Sequence, residues 1–288
     1  MKRIIALGFF DSIHIGHKKI ITECVKIANK KGFTPSVFMF DGDLKAYFDP
    51  KYKGAVFTLT ERKSLIKELG VKDFIVKKVE KEFLAVDRKD FLDLLVKEYN
   101  AVGFVCGFDY SFGRGGLGTT EFLTEYCKEK GLSLKIVSEV KKEKIKVSTS
   151  RIKDLLSEGK VKEAGKLLDG NYFITSTVKE GRKVGKTLGF PTVNLKVSSK
   201  KVIIKKGVYK GKVFINGIEY KTIINYGTAP TFGVKKNMVE AYILGFNGDL
   251  YGKKLTIYFE DFLREIKKFK TKEDLIKQLN KDIAKVKW

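Results

Sequence analysis

The spacing of apolar residues changes near residue 170 of the 288-residue chain. Before that point, short apolar runs alternate with stretches in which apolar residues recur every three or four positions, the pattern of strands alternating with amphipathic helices. The predicted strands cover residues 4–9, 36–40, 74–76, 102–106 and 134–137. This alternation predicts an α/β fold, a parallel sheet with helices on both faces whose ligands bind beyond the carboxyl ends of the strands.

A helical pattern over residues 151–168 leads to Gly170, and short strand patterns separated by Gly and Asn turns follow. These patterns cover residues 172–178, 207–215, 221–225, 239–244 and 255–262. Their spacing predicts a small antiparallel β-barrel. A final amphipathic helix, with Thr271 as its predicted N-cap, is expected to pack over that barrel. We therefore predict two domains, residues 1–170 and 171–288.

The chain contains only two histidines, three positions apart in the run His14, Ile15, Gly16, His17. The run follows the first predicted strand and opens a helical pattern, so it occupies a loop and a helix N-terminus, where free backbone N–H groups bind phosphate. Imidazoles there can donate hydrogen bonds to charge that develops on a phosphoryl oxygen. Residues 107–113 also follow a predicted strand, and we expect them to share a cleft with the histidine loop. Two surface or structural histidines are the alternative interpretation.

The net charge of +24 raises the question of a nucleic-acid partner. Only 7 of the 58 basic residues are arginine, the residue that base readout and bidentate phosphate contacts favour. Because the lysines are scattered among apolar positions, we expect no nucleic-acid partner and interpret the charge as a field that attracts anionic nucleotides.

Two further features bear on where the protein works. No segment predicts a membrane span, so we expect no membrane partner. Cys24, Cys106 and Cys127 lack the close pairing of a zinc or redox site, which predicts reduced thiols in a cytoplasmic protein. We expect a monomer or a weak homo-oligomer.

Residues 181–187 imitate a phosphate-binding P-loop without satisfying it. Three residues separate its glycines where a P-loop has four, and Pro191 would break the helix that must follow. A Gly-rich turn running into extended chain remains, and its backbone N–H groups can approach a polyphosphate. Thr192 and Asn194, two residues apart on that chain, can direct a hydroxyl and an amide oxygen at a hard cation. A glycine hairpin with an edge-strand proline is the alternative.

Together, the motifs of the second half resemble the riboflavin kinase family in order and spacing. They are Gly189 to Asn194; Gly207, Val208 and Tyr209; Asn225, Tyr226, Gly227, Pro230 and Thr231; Glu240; Gly248 to Gly252; and Leu263, Arg264, Glu265, Lys268 and Phe269. The first half resembles the FMN adenylyltransferase module of bifunctional bacterial FAD synthetases. Its motifs are Gly8, Phe10, Asp11, His14, Gly16 and His17; Gly107, Asp109, Phe112 and Gly113; and Ser148, Thr149, Ser150, Ile152 and Lys153.

The resemblance implies a Rossmann-like nucleotidyltransferase sheet followed by a small β-barrel with a C-terminal helix. It also implies two ATP- and Mg²⁺-dependent reactions with riboflavin, FMN and ATP as partners: phosphorylation of riboflavin to FMN, then adenylylation of FMN to FAD with release of pyrophosphate. In the kinase, Glu240 would accept the proton of the ribityl hydroxyl, while Thr192 and Asn194 hold Mg²⁺. The remaining implied contacts are Gly185, Lys186, Gly189, Pro191 and Asn225 for ATP, and Arg264 and Glu265 for flavin.

In the adenylyltransferase, the resemblance places His14 and His17 at the α-phosphate of ATP. Ser148, Thr149 and Lys153 would face the leaving pyrophosphate, and Asp109 and Phe112 the adenine or flavin side of the cleft. Further implied ATP or phosphate contacts are Gly8, Phe10, Asp11, Gly16, Ser150 and Arg151.

The chain departs from the family pattern in four features. Ser12 replaces the usual Gly, Asp41 to Asp43 replace a frequent Pro, His, Pro run, and Lys153 and Lys186 replace Arg. Because three of the four lie in the first module, an alternative is a riboflavin kinase whose first module only binds flavin or nucleotide. A fragment of a class I aminoacyl-tRNA synthetase, which shares the His, Ile, Gly, His motif, is a second alternative, but it has no role for the second half.

Overall fold

A computed structural model of the chain describes residues 1–42, 46–47, 52–142, 145–180, 189–231 and 234–286. By compactness the chain divides into two units, Met1–Thr149 and Ser150–Trp288. This division falls earlier than residue 170, because the helices before Gly170 group with the second unit. The functional boundary at residue 170 stays a prediction.

The first unit is built on a five-stranded parallel sheet in the order β3-β2-β1-β4-β5. Its strands are β1 (Arg3–Leu7), β2 (Thr34–Asp41), β3 (Asp73–Lys78), β4 (Ala101–Gly107) and β5 (Ser133–Val137). Its helices are α1 (Ile15–Lys30), α2 (Leu59–Glu68), α3 (Lys81–Leu84), α4 (Arg88–Tyr99) and α5 (Thr120–Glu129). A short hairpin of β6 (Lys141–Lys142) and β7 (Ile145–Lys146) follows. All five predicted strands are present, and the predicted fold class is confirmed.

Strand β1 is buried on both faces. Ile4 and Ala6 belong to the core that includes α1 and α2, whereas Ile5 and Leu7 belong to the core that includes α4 and α5. Such two-sided burial is typical of a central parallel strand. The strand order reverses direction between β1 and β4, and crevices at such a switch point bind ligands. The loops that follow β1 and β4 therefore occupy the position where a nucleotide site is expected.

Two helices rather than one lead into the barrel of the second unit. The single helix predicted over residues 151–168 is wrong, because the chain forms α6 (Thr149–Ser157) and α7 (Val161–Leu168). Gly159, with a φ of +82°, lies between them in the left-handed conformation that ends helices. The backbone N–H of Lys205 donates to the carbonyl of Leu156 and fastens α6 to the chain that leads into the barrel.

The remaining strands close an antiparallel barrel, as predicted, in the order β10-β11-β12-β9-β8-β13. They are β8 (Tyr172–Lys179), β9 (Thr192–Lys196), β10 (Gly207–Ile215), β11 (Ile218–Thr231), β12 (Val234–Ile243) and β13 (Lys254–Arg264). Strands β11 and β12 are longer than predicted, and β9 occupies the extended chain predicted after the Gly-rich turn. Alternate residues fill the interior: Tyr172, Ile174, Leu195, Tyr209, Val213, Ile224, Tyr226, Val239, Ala241, Ile257 and Phe259 are almost fully buried.

The last helix, α8 (Lys272–Val286), packs on the outer face of the barrel as predicted. Ile283 and Val286 contact a cluster that contains Val208 and Ile223. Thr271 caps the helix by accepting a hydrogen bond from the backbone N–H of Asp274 at 3.1 Å. None of the helices in the described part of the chain is long and apolar enough to cross a lipid bilayer.

The packing of α7 predicts that a fragment of the second unit is less stable without this helix. Four residues of α7 (Val161, Ala164, Leu167 and Leu168) are buried, and the helix packs against β8 and β13. We expect a fragment that begins at Ser150 to unfold at a clearly higher temperature than one that begins at Asp169, since the shorter fragment exposes apolar barrel surface. Thermal unfolding followed by circular dichroism measures both, and equal midpoints would show that α7 adds nothing to the barrel.

Candidate active sites

The two histidines form a stacked pair at the start of α1. The backbone N–H of His17 donates a 3.2 Å hydrogen bond to Nδ1 of His14, which makes His14 the N-cap of the helix. The two rings are 3.7 Å apart between centroids and tilted by only 12°. Because Nδ1 of His14 is an acceptor, a neutral His14 carries its proton on Nε2 and can donate there. Within the described residues, Nδ1 of His17 is buried without a hydrogen-bond partner.

Burial keeps both imidazoles neutral. Desolvation lowers the pKa of His14 from 6.5 to about 4, although its own backbone and the carboxylates of Asp109 and Asp11 act in the opposite direction. The pKa of His17 is well below its ordinary value, first because it is buried and second because His14 lies beside it. At neutral pH the pair therefore presents N–H donors rather than positive charge to a ligand.

Two glycines of the motif are explained by close contacts with aromatic rings. A Cβ added at Gly16 would lie 3.1 Å from Cε1 of His14, and one at Gly8 would lie 2.8 Å from Cζ of Phe10. Phe10 is fully buried, and the edge of its ring contacts His17 at 5.4 Å between centroids. The side chain of Phe10 thus packs against the imidazole of His17.

Asp11 and Ser12, which precede the histidines, are almost fully buried. Their side chains connect the loop to two other parts of the chain. Oδ1 of Asp11 accepts a 2.8 Å hydrogen bond from the backbone N–H of Val56. The hydroxyls of Ser12 and Thr149 lie 2.9 Å apart and share a hydrogen bond. The contact places Thr149, the first residue of α6, beside the histidine loop, and its role at the leaving pyrophosphate stays a prediction. Ser148 precedes that helix, and Ser150, Arg151 and a buried Lys153 lie within it; their roles stay predictions.

The loop after β4 also approaches the histidines, since the charge of Asp109 acts on His14. Phe112 instead lies in a core cluster, where its ring stacks on Tyr110 and contacts Phe91. Its predicted contact with flavin stays a prediction, and the structure places its ring among apolar neighbours.

In the second unit several of the predicted kinase residues share the outer face of the barrel. Strand register places six residues in one row across neighbouring strands: Arg264, Val208, Asn225, Glu240, Asn194 and Lys179. Directly paired residues point to the same face of a sheet. Leu195, Ile224 and Val239, each adjacent in sequence to a residue of the row, fill the barrel interior. Because successive residues of a strand point to opposite faces, the row faces outward. Lys179 was missed by sequence reasoning, because a single lysine at a strand end carries no signal without the register.

Thr192 and Glu240 are in direct contact. The Thr192 hydroxyl donates a 2.8 Å hydrogen bond to Oε1 of Glu240, and both side chains are half-buried. The described residues give Oε2 of Glu240 no hydrogen-bond donor. Among the described residues the carboxylate is hydrogen-bonded at one oxygen only, which suits a group that accepts a proton from a bound hydroxyl.

The predicted flavin residues at the end of β13 have protein partners. The guanidinium of Arg264 binds the fully buried carboxylate of Asp282 on α8, with Nη2 at 2.7 Å from Oδ2. Glu265 pairs with Lys205 at 2.8 Å. Arg264 therefore fixes α8 against the barrel beside the row, and flavin binding by either residue stays a prediction. Gly185 and Lys186 lie outside the described residues, while Gly189, with a φ of +82°, and an exposed Pro191 lead into β9.

The fold defines a class: a parallel α/β module with a switch point of the kind that binds ligands, joined to a closed antiparallel barrel. Comparison with known families agrees, since residues 1–151 match the FAD synthetase family and residues 168–288 match the riboflavin kinase family.

Curated relatives named bifunctional riboflavin kinase/FMN adenylyltransferase align over nearly the whole chain. Those of Bacillus subtilis and Listeria monocytogenes are each 32% identical, over 98% of this chain and 90% of theirs. That of Escherichia coli K12 is 25% identical over 97% of this chain. The chain belongs to the bifunctional riboflavin kinase/FMN adenylyltransferase family.

A solved structure supports the fold. A crystal structure described as a macrolide-efflux protein from Streptococcus pneumoniae superposes with a TM-score of 0.89 at 30% identity, covering 100% of this chain and 94% of that one. That description concerns the other protein, and the likeness between the two chains is one of fold and sequence.

The depressed histidine pKa values predict how stability depends on pH. Between about pH 6.5 and about pH 4 the unfolded chain binds protons at these histidines that the folded chain does not bind, so acidification through this window favours unfolding. A chain with His14→Asn and His17→Asn lacks this contribution. Its free energy of unfolding, measured by urea denaturation across the window, should fall less on acidification than that of the wild type. Parallel curves would show that the histidines are not buried as neutral groups.

Proposed function

We propose that the two reactions of flavin cofactor synthesis run at the two sites described above. The enzyme phosphorylates riboflavin with ATP to give FMN and adenylylates FMN with a second ATP to give FAD. We place phosphorylation on the outer face of the barrel and adenylyl transfer at the histidine pair. The observation that carries the kinase assignment is the cross-strand row with its Thr192–Glu240 hydrogen bond.

In the kinase reaction, Glu240 holds the ribityl 5′-hydroxyl of riboflavin and receives its proton. The hydroxyl oxygen forms the new bond to the γ-phosphorus of ATP, and the bond to the bridging oxygen breaks to leave ADP. Thr192 fixes the carboxylate through Oε1, so that Oε2 is the oxygen available to the substrate. Asn225 and Asn194 flank Glu240 in the row and offer amide groups to ligand oxygens.

The residues beside Glu240 fit a magnesium ion by chemistry. Thr192 and Asn194 supply neutral oxygen donors next to a carboxylate, and oxygen ligands are the ones that Mg²⁺ prefers. When bound with ATP, the ion neutralises phosphate charge. The hydroxyl of Thr192 donates its hydrogen bond to Glu240, which leaves the lone pairs of the hydroxyl oxygen for a ligand.

The kinase assignment predicts the effect of a single substitution. Glu240→Gln keeps the size of the side chain but removes the proton acceptor, so riboflavin phosphorylation should fall about 10² to 10⁴-fold. FAD formation from added FMN should remain at the wild-type rate. Purified protein incubated with riboflavin or FMN, ATP and Mg²⁺, followed by chromatographic separation of FMN from FAD, measures both.

Glu260→Gln is the matched control, since Glu260 is another partly buried strand carboxylate of the barrel that pairs with Lys221 at 3.9 Å. It should leave phosphorylation intact. A Glu240→Gln enzyme with normal kinase turnover would overturn the role of Glu240 as the base.

In the adenylyl transfer, the FMN phosphate is itself the nucleophile, so positioning and charge stabilisation supply the catalysis. A phosphate oxygen of FMN bonds to the α-phosphorus of ATP, and pyrophosphate leaves. Nε2 of His14 donates to an oxygen of the α-phosphate, with His17 stacked behind it. The N-terminus of α1 adds backbone N–H groups and a favourable dipole.

A double histidine variant tests this assignment. His14→Asn with His17→Asn removes the imidazole donors, so FAD synthesis should fall about 10²-fold or more, as when an oxyanion donor is lost. Riboflavin phosphorylation on the same chain should be unchanged and serves as the internal standard. FAD synthesis at the wild-type rate would show that the histidines are not catalytic. A wild type that makes FMN but never FAD would instead show that the first module only binds its ligands.

We also propose a cytoplasmic location. Cys24, Cys106 and Cys127 are all free and buried. Burial raises their thiol pKa values to about 12, 12 and 11, which keeps them protonated and unreactive. Three reduced thiols are typical of a protein that works in a reducing compartment.

A further inference from the structure

We infer that Ser12 is a positioning residue for adenylyl transfer, because its hydroxyl fixes the histidine loop to Thr149. The inference rests on the proposed roles of His14, His17 and Thr149. No role was predicted for the Ser12 side chain, which replaces a usual glycine of the family pattern. The hydrogen bond to Thr149 at 2.9 Å gives it one.

The loop before the histidines has a strained backbone that other contacts must stabilise. Phe10 and Ile13 have φ values of 44° and 45°, in the left-handed region that bulky side chains disfavour. Both side chains are buried, so the strained turn is part of the folded site rather than a surface feature. The two residues between them, Asp11 and Ser12, supply side-chain contacts that keep the loop in this conformation.

The two side chains contact different segments of the chain. Asp11 is bound by the segment 52–56, through the Val56 N–H and, at 3.5 Å, the Tyr52 hydroxyl. Ser12 is bound by Thr149, far away in the chain. Since Ser12 has no exposed surface, water cannot replace Thr149 when the bond is lost. The Ser12 bond therefore sets the distance between the histidine loop and Thr149.

The bond also orients the Thr149 hydroxyl. When Ser12 donates, the hydrogen of Thr149 is free to donate to a phosphate oxygen, and a chain of two hydroxyls strengthens that second bond. Ser12 thus acts through Thr149 on the leaving pyrophosphate, and through the loop backbone on His14. A glycine at position 12 lacks this hydroxyl.

The test compares Ser12→Ala, Thr149→Val and the double variant. We expect Ser12→Ala to lower kcat/KM for FAD synthesis about tenfold, the size of one lost hydrogen bond. Inhibition by added inorganic pyrophosphate should weaken by a similar factor, which a purely structural role would not cause. The double variant should be no worse than Thr149→Val alone, because Ser12 acts through Thr149. Thr149→Ser keeps the hydroxyl and should stay closer to the wild type than Thr149→Val.

Ser36→Ala is the matched control. Ser36, near the start of β2, is also fully buried, and its hydroxyl donates a 2.9 Å hydrogen bond to Asp73, the first residue of β3. Both lie at the end of the sheet away from the histidine loop. It should lower the unfolding temperature without changing the ratio of FAD to FMN synthesis.

Three results would overturn the inference: wild-type kinetics for Ser12→Ala, a lowered unfolding temperature as its sole effect, or losses that multiply in the double variant. If the double histidine variant is inactive while Ser12→Ala is normal, only the inference on Ser12 fails. If the histidine variant keeps its activity, the proposed site itself is wrong.

Discussion

One hydrogen bond, from the backbone N–H of His17 to Nδ1 of His14, determines how the first site is arranged. It caps α1, so the helix begins where the strained loop ends. It also accompanies the stacking of the two imidazoles and leaves Nε2 of His14 as the nitrogen that carries the proton. A glycine at position 16 leaves room for the His14 ring, because a Cβ there would lie 3.1 Å from Cε1 and the ring would have to shift. The spacing of three between the histidines is thus a consequence of helix capping as much as of ligand binding.

In the barrel, strand pairing rather than a loop brings the predicted site residues together. Antiparallel pairing makes alternate residues point outward, so a row of polar residues can be supported by an apolar interior. Glu240, Asn225 and Asn194 need no loop to bring them together, since register alone does so. The ion pair of Arg264 with Asp282 then holds α8 beside that row, with a buried carboxylate as its anchor.

Much of this could be predicted from sequence. The alternation of apolar residues predicted all five strands of the sheet, and even spacing of short runs predicted the barrel. The break at Gly159 was not predicted, since apolar positions on both sides of it fit one helical period and a single glycine is tolerated inside helices. The packing of Phe112 into the core was also beyond reach, because an aromatic residue after a strand is compatible with either a core or a ligand.

The sequence did not predict which distant residues contact each other. Ser12 was recognised only as a departure from the family pattern, and its partner Thr149 was assigned on other grounds. The bond between them depends on where the start of α6 meets the loop after β1, which no local pattern encodes. The same holds for Asp109, whose charge acts on His14 because β1 and β4 are neighbours in the sheet.

The electrostatics of the first site follow from burial. Neutral imidazoles cannot offset the charge of a triphosphate, so that charge must be met by other groups. The N–H groups of α1 and the lysines that give the chain its charge of +24 are the positive sources in the sequence. This division lets the histidines act as short-range donors to one phosphoryl oxygen, while the net charge draws the nucleotide in from solution. Burying the imidazoles is therefore compatible with phosphate chemistry, because the long-range attraction does not depend on them.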